Sequence, residues 1–162
     1  VLLSDFLDFA RPSALQLELI DIASLVDELI ALVNASGQFQ DVVIEKNYSG
    51  SISMNVDPQK MNQILWDLLI NAGEAARPEG RTRIDINAAQ GEIVIEDTGA
   101  GIADEDRDRL FEPFYTTKDK GTGLGLANVY ANVEAHQGRI YVESGSLGGA
   151  RFIIELPEQY RV

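Results

Sequence analysis

Three glycines at alternate positions, Gly121, Gly123 and Gly125, lead straight into an apolar helical pattern in GTGLGLANVYANVEAHQGRI. Small residues there let backbone N–H groups approach an anion, and a helix starting near Leu124 adds the positive end of its dipole. A dinucleotide fingerprint would need GxGxxG directly behind a strand. Here the spacing is GxGxG and the preceding TTKDK makes a poor strand, although Glu143 falls about where a ribose-binding acid would stand. A plain loop with a helix cap is the competing reading of the same residues.

Three other stretches carry candidate chemistry. In DTGAGI, Asp97 reads as a carboxylate leaving a strand, able to accept a hydrogen bond from an exocyclic amine. Gly99 and Gly101 beside it would let a flat ring pack closely. In DLLINAGEAA, Asn71 sits mid-helix, where asparagine is a poor helix former. Asp67 lies one turn earlier on the same face, so an amide oxygen and a carboxylate together offer the hard oxygen ligands that suit Mg²⁺; a solvated helix face is the plain alternative. In LFEPFYTTK, Phe111, Phe114 and Tyr115 flank Pro113, and Thr116, Thr117 and Lys118 follow with donors. That order suits a lid hinged on aromatics, with Lys118 reaching a phosphate as a point charge, or simply an apolar anchor for a loop.

Composition removes several other classes. The chain has no cysteine and a single histidine, which excludes a disulfide framework, a thiolate zinc site, a thiol nucleophile and a multi-histidine metal centre. The net charge of −13 argues against an electrostatic nucleic-acid binder. It leaves nucleotide binding open, because backbone N–H groups and a metal ion can hold phosphate without net positive charge. No apolar run reaches the roughly 18 residues of a membrane span, so a cytoplasmic location is expected, with a parent protein that carries any membrane anchor.

The elements that must position these residues read as follows. VLLSDFLDFARP looks like the end of a helix cut from a longer parent, stopped by Arg11-Pro12. Ala14–Ile20 alternates as a strand. Asp21 caps a helix with Ile22, Leu25, Val26, Leu29, Ile30 and Val33 on one face, ended by Ser36-Gly37. Val42–Asn47 and Ile52–Val56 read as strands around a Ser49-Gly50 turn, and Asp57-Pro58 opens the helix that carries Asn71. Arg83–Ala89 and Glu92–Glu96 alternate as a hairpin. A short charged helix and the LFEPFYTTK stretch follow, then the helix Leu124–Gln137 and the strands Arg139–Glu143 and Arg151–Leu156 around Ser144–Gly149. Local strand pairing with helices on one face predicts an α+β sandwich rather than a doubly wound sheet.

Each stretch alone is ambiguous, but their order is specific. Asn71 in an apolar helix, then DTGAGI, LFEPFYTTK and GTGLGL resemble the asparagine, first glycine, phenylalanine and second glycine boxes of the sensor histidine kinase catalytic domain. That domain belongs to the GHKL, or Bergerat, ATP-binding superfamily. The resemblance covers the chain from about Leu15 to Leu156, and LFEPFYTTK running quickly into GTGLGL looks like the nitrogen-regulation type. It implies a Bergerat-type two-layer sandwich, a mixed sheet covered on one face by about three helices. It implies that residues 1–12 end the dimerisation and phosphoacceptor helix and that 13–162 form the catalytic domain. It implies ATP and Mg²⁺ as cofactors, with Asn71 on the metal and Asp97 on the adenine amino group. Gly99, Gly101 and Ile102 would shape that pocket, with Phe152 backing the base. Phe111 and Phe114 would anchor the lid. Gly121, Thr122, Gly123, Leu124, Gly125 and Leu126 would wrap the phosphates, with Thr116, Thr117 and Lys118 in reach of them.

Two positions depart from the family pattern. Asp67 stands where many members carry a second asparagine, and Glu74 stands where many carry a basic residue. In ATP-hydrolysing relatives a glutamate one turn before the asparagine serves as general base, so Asp67 is the candidate catalytic residue of an ATPase reading. A degenerate nucleotide-binding scaffold is the non-catalytic alternative. The lid box and helical lead-in favour the kinase. His136, at the end of the last long helix, suits the dipole of a helix C-terminus rather than an acceptor role. The acceptor histidine is therefore expected on the kinase's own dimerisation domain, outside this chain, with a response regulator as the next partner. The isolated chain is expected to be monomeric and to bind no nucleic acid.

Overall fold

The computed structural model describes Leu3 and residues 14–48, 52–116 and 123–162. The expected helix end over residues 1–12, save Leu3, and the Ser49-Gly50 turn lie outside them. In chain order the elements are β1 (Glu18–Asp21), α1 (Ile22–Ser36), β2 (Val43–Asn47), β3 (Ser53–Val56), α2 (Pro58–Ala76), β4 (Arg81–Asn87), β5 (Glu92–Asp97), α3 (Asp104–Arg107), α4 (Gly125–Ala135), β6 (Arg139–Ser144) and β7 (Ala150–Glu155).

Local signals set most boundaries. Asp21 accepts the Ala23 N–H to start α1, and Gly37, at φ 71°, ends it in the left-handed region that glycine adopts at no cost. Asp57 caps α2 by accepting the Gln59 and Lys60 N–H groups, and Pro58 occupies the first helical position.

The strands form a five-stranded sheet in the order β2-β4-β5-β7-β6 and a separate pair, β1-β3. The hairpins β4–β5 and β6–β7 are antiparallel, as the sequence suggests. Pairing is not wholly local, however. β2 lies parallel to β4, and β3 pairs with β1 instead of β2. A parallel pair needs a long crossover, and β3 with α2 supplies it.

Alternation divides the large sheet into two faces. Ile84, Ile86, Ile93, Ile95, Phe152, Ile154 and Ile140 point into one core with Val26, Leu29, Met61, Ile64, Leu65, Leu68 and Val129 of the helices. Truncating one of these buried side chains to Ala costs about 2–5 kcal/mol. The opposite face carries a row of alternating charge across all five strands. In register it runs Glu45, Arg83, Glu96, Arg151, Glu143. Glu96, at its centre, is 0% exposed. Burial pushes its carboxyl up, but bonds from Ser146 and Arg83 outweigh that and hold it below the usual carboxylate range.

His136 closes the helical layer. Its ring is fully buried, with Nδ1 2.8 Å from the Asn132 carbonyl and Nε2 accepting the Asp57 N–H at 3.1 Å. A carbonyl only accepts and an amide N–H only donates, so the ring is the neutral Nδ1–H tautomer. This revises the charge–dipole role suggested by its place at a helix end. Burial lowers its pKa from 6.5, against the opposing pull of the Asn132 bond and the Asp57 charge. The unfolded chain then binds the proton first, so the stability from His136 is complete above about pH 6.5 and is lost as pH falls below it. Urea unfolding should show stability dropping from pH 7 to about pH 5.5, a window above ordinary carboxylate titration. His136→Gln should flatten that window; an unchanged slope would contradict the buried neutral ring.

Candidate functional site

The site is built where β5 runs out. Asp97, its last residue, is 1% exposed. Its Oδ1 accepts the Gly99 N–H at 2.8 Å and faces the Ala150 N–H at 3.4 Å. Thr98 fastens the exit to β4, donating its N–H to the Arg81 carbonyl and accepting the Arg81 N–H on its hydroxyl. Gly99 then backs onto the end of α2, where a Cβ would collide with the Ala75 carbonyl. Gly101, at φ 77°, lies against Gly149 of the β6–β7 turn. A Cβ on Gly149 would stand 2.6 Å from the Gly99 nitrogen and collide with the Asp97 carboxylate. Ile102 packs half-buried against the core.

From this end, one face of α2 runs past the rest of the site. Ala75, Asn71 and Asp67 recur at one-turn intervals. Ala75 touches Gly99, and Asp67 faces the start of α4, where a Cβ on Gly125 would lie 4.0 Å from the Asp67 Cγ. The strip from 67 to 75 is about 12 Å long at 1.5 Å rise per residue, with half-buried Asn71 at its middle. Asp67 Oδ2 accepts the Gln63 amide at 2.9 Å. Glu74 is exposed, off this strip. The N-cap of α4 is Leu124, an apolar residue with no capping side-chain bond, so its side chain meets none of the N–H groups of the first turn. Leu126 packs half-buried on the core.

Phe111 is an internal anchor, its ring edge-on to Phe152 at 6.3 Å and tilted against Tyr130 at 5.7 Å. Phe152 is itself buried in the core, 1% exposed. The Phe114 ring is 59% exposed, and the residue sits at φ 66°, rare for a bulky side chain. Its backbone N–H donates to the Gly123 carbonyl at 2.9 Å. Gly123, at φ 73°, lies so close that a Cβ would be 2.6 Å from the Phe114 Cα. Tyr115 holds the neighbouring position, its hydroxyl bonded to the Asp106 carboxylate and the Arg109 guanidinium 4.5 Å over its ring. Thr116 follows, exposed. Thr117, Lys118, Gly121 and Thr122 lie outside the described residues.

Thus Asp97, Gly99, Gly101, Asn71, Asp67 and Gly125 come together along α2. Sequence reasoning missed Gly149 and Glu96. The Gly148-Gly149 pair was visible as a turn, but nothing local said that it closes on Asp97. Among the described residues no three Asp, Glu or His side chains gather as a metal-holding group.

A helical layer over a mixed sheet, with glycine turns converging on a buried aspartate, defines a nucleotide-binding sandwich class. Residues 56–160 match the histidine kinase-, DNA gyrase B- and HSP90-like ATPase family, and the chain belongs to it. The signal transduction histidine-protein kinase AtoS of Escherichia coli is 36% identical over 159 residues, 96% of this chain and 26% of AtoS. Sporulation kinase E of Bacillus subtilis is 34% identical over 96% of this chain and 22% of the kinase. The chain therefore spans about a quarter of these relatives. Among solved structures, the full-length kinase ShkA in complex with AMPPNP superposes with TM-score 0.81 at 28% identity, over 99% of this chain and 35% of ShkA. A mycobacterial sensor histidine kinase, MprB, gives TM-score 0.76 at 27% identity, over 88% of this chain and 97% of that one. Within the family the chain is the ATP-binding catalytic domain of the sensor histidine kinase type.

The close approach of Gly149 gives a direct test. Gly149→Ala should destabilise by about 1–3 kcal/mol in urea unfolding, because the methyl meets backbone that cannot yield. Exposed Glu134→Ala should stay within about 0.5 kcal/mol. Equal stability of Gly149→Ala and the parent would refute the contact.

Proposed function

We propose that this chain binds Mg²⁺-ATP along α2 and presents the γ-phosphoryl group to a histidine on a separate helical domain. The observation that carries the reading is the order of the strip: a buried carboxylate with glycine turns at Ala75, an amide at Asn71, and a helix N-terminus at Asp67 and Gly125. A nucleotide laid along it meets an acceptor for the adenine amino group at Asp97, with Gly99, Gly101 and Ile102 around the base. Its phosphates meet Gly121, Gly123, Gly125 and the first N–H groups of α4, with Thr122, Leu124 and Leu126 in that loop and turn. Thr116, Thr117 and Lys118 come from the lid, held by Phe111, the Phe114 backbone and Tyr115. Phe152 supports the pocket from within the core through Phe111.

One amide oxygen suits Mg²⁺, which keeps several waters and takes phosphate oxygens rather than an all-protein cage. Asn71 would hold it, and when bound it would neutralise phosphate charge. The chain's own part is positioning. In-line transfer needs alignment and charge stabilisation more than covalent chemistry from this domain. His136 is sealed in the core and unavailable as acceptor. The nucleophile then comes from the parent's dimerisation and phosphoacceptor domain, for which residues 1–12 are the connecting end, and a response regulator receives the phosphoryl group next. A cytoplasmic site accords with this reading. Among the described residues no helix is long and apolar enough to cross a membrane.

Calorimetric titration with ATP, ADP and ITP should show tighter binding of adenine than of inosine nucleotides, since inosine lacks the amino donor. Asp97→Asn should weaken ATP by roughly tenfold or more, the scale of a lost charge-assisted hydrogen bond. Asn71→Ala should abolish the strengthening of binding by Mg²⁺. Transfer from labelled ATP to an added helical acceptor domain separates the kinase from an Asp67-dependent ATPase. Steady phosphate release without label transfer, abolished by Asp67→Asn, would establish the latter.

A further inference from the structure

Glu96 neighbours Asp97 in sequence but projects from the opposite face of β5, so it cannot reach a nucleotide at the pocket. It is nevertheless one of the most deeply buried charges in the described structure, at 0% exposure. Its Oε2 accepts from Arg83 at 2.7 Å and lies 3.4 Å from Arg151 Nη1. Its Oε1 accepts both the N–H and the hydroxyl of Ser146, at 2.8 and 3.0 Å. Arg83 and Arg151 are its register partners on β4 and β7, so the two cations reach it from both sides within one row.

Ser146 is the second residue of the turn joining β6 to β7, and that turn is internally closed. Gly145 donates to the Gly149 carbonyl at 2.8 Å, and Gly148 to the Gly145 carbonyl at 3.2 Å. Its far end lies on Asp97. The Gly149 N–H donates to the Asp97 carbonyl at 3.1 Å, and the Ala150 N–H faces the Asp97 carboxylate. The turn therefore straddles the end of β5, held by Glu96 on one face and touching Asp97 on the other. Stability alone does not account for a charge here, because apolar residues of similar volume generally serve a buried position as well or better. Fixed geometry does, since a carboxylate accepting from four directions leaves Ser146 a single place to sit.

We propose that Glu96 is a positioning residue for base recognition: through Ser146 and the β6–β7 turn it sets the Asp97 carboxylate in the orientation that distinguishes an adenine amino group. This rests on the nucleotide reading above. Glu96→Gln keeps the shape and one acceptor but removes the charge that draws in both arginines. Ser146→Ala removes only the hydroxyl link, on an exposed turn, and leaves the strands intact.

The test is calorimetric titration of the full chain with ATP and with ITP, in the parent, Glu96→Gln, Ser146→Ala, Asp97→Asn and the Glu96→Gln/Asp97→Asn pair. Cooperative unfolding is checked for each. Glu96→Gln should reduce the preference for ATP over ITP by roughly fivefold, and Ser146→Ala should reduce it by about twofold, while ITP affinity moves by less than about twofold. In the Asp97→Asn background Glu96→Gln should leave ATP affinity within about twofold, because nothing remains to be oriented. Should Glu96→Gln fail to fold, Ser146→Ala decides. A folded variant that keeps the parental ATP-to-ITP preference, or that weakens both nucleotides equally, overturns the proposal. A parent that binds ATP and ITP alike overturns the adenine role of Asp97 itself, and with it this inference.

Discussion

Two adjacent carboxylates are buried on opposite faces of the central strand, and much of the structure answers to that. Glu96 and Asp97 are 0% and 1% exposed. Taking a carboxylate out of water costs several kcal/mol unless its oxygens find donors. On the outer face the donors are two cations brought by sheet register and the N–H and hydroxyl of Ser146 from the β6–β7 turn. On the helix face, Asp97 meets the N–H groups of Gly99 and Ala150. Formal charge meets only the outer carboxylate, where both arginines reach Glu96.

The glycines follow from the same requirement. For a backbone N–H to reach Asp97, the chain on either side must come within a distance that excludes a Cβ, and Gly99 and Gly149 do so from opposite directions. The helix α2 then sets the spacing of everything else. Its fully apolar face, with Ile64, Leu65, Leu68 and Ala72, locks it to the sheet. The face carrying Asp67, Asn71 and Ala75 is therefore presented at a fixed height above the end of β5. The bond from Asp57 to His136 pins the N-terminus of α2 to the C-terminal end of α4, at the ends of the two helices away from the site.

Much of this was legible beforehand. Caps such as Asp21, Asp57-Pro58 and Gly37 are local signals and read true, as does the alternation of β4 through β7. The four boxes placed Asp97, Asn71 and Gly125 near one another because their order, not their composition, is specific. What failed to read was non-local. The parallel pairing of β2 with β4 depends on which strand edge is left after α2 packs. The neutrality of His136 depends on burial by partners distant in sequence. Phe114 reads as an apolar anchor by residue type, but the bond from its N–H to the Gly123 carbonyl is a backbone feature that residue type does not announce. Glu96 looks like an outward strand residue beside the more obvious Asp97. Only register reveals that two arginines and the Ser146 turn converge on it.

A chain of net charge −13 that belongs to an ATP-binding family must manage repulsion as well as attraction. The described site does this by separating its carboxylates by function. Glu96 is neutralised by Arg83 and Arg151 on the far face. Asp97 meets the backbone N–H groups of Gly99 and Ala150 at the end of β5. Asp67 is tethered by Gln63 next to the start of α4, where a helix dipole offsets a negative charge. Glu74 faces solvent, where its field is screened within about 10 Å. In the proposed binding mode, oriented N–H groups of the glycine loop and of the start of α4 would join Lys118 in meeting the phosphates, without an excess of lysine and arginine over the chain. Helix dipoles of this kind are aligned before a ligand arrives, so on that reading little reorganisation would oppose binding, and an acidic exterior would be compatible with a phosphate in the pocket.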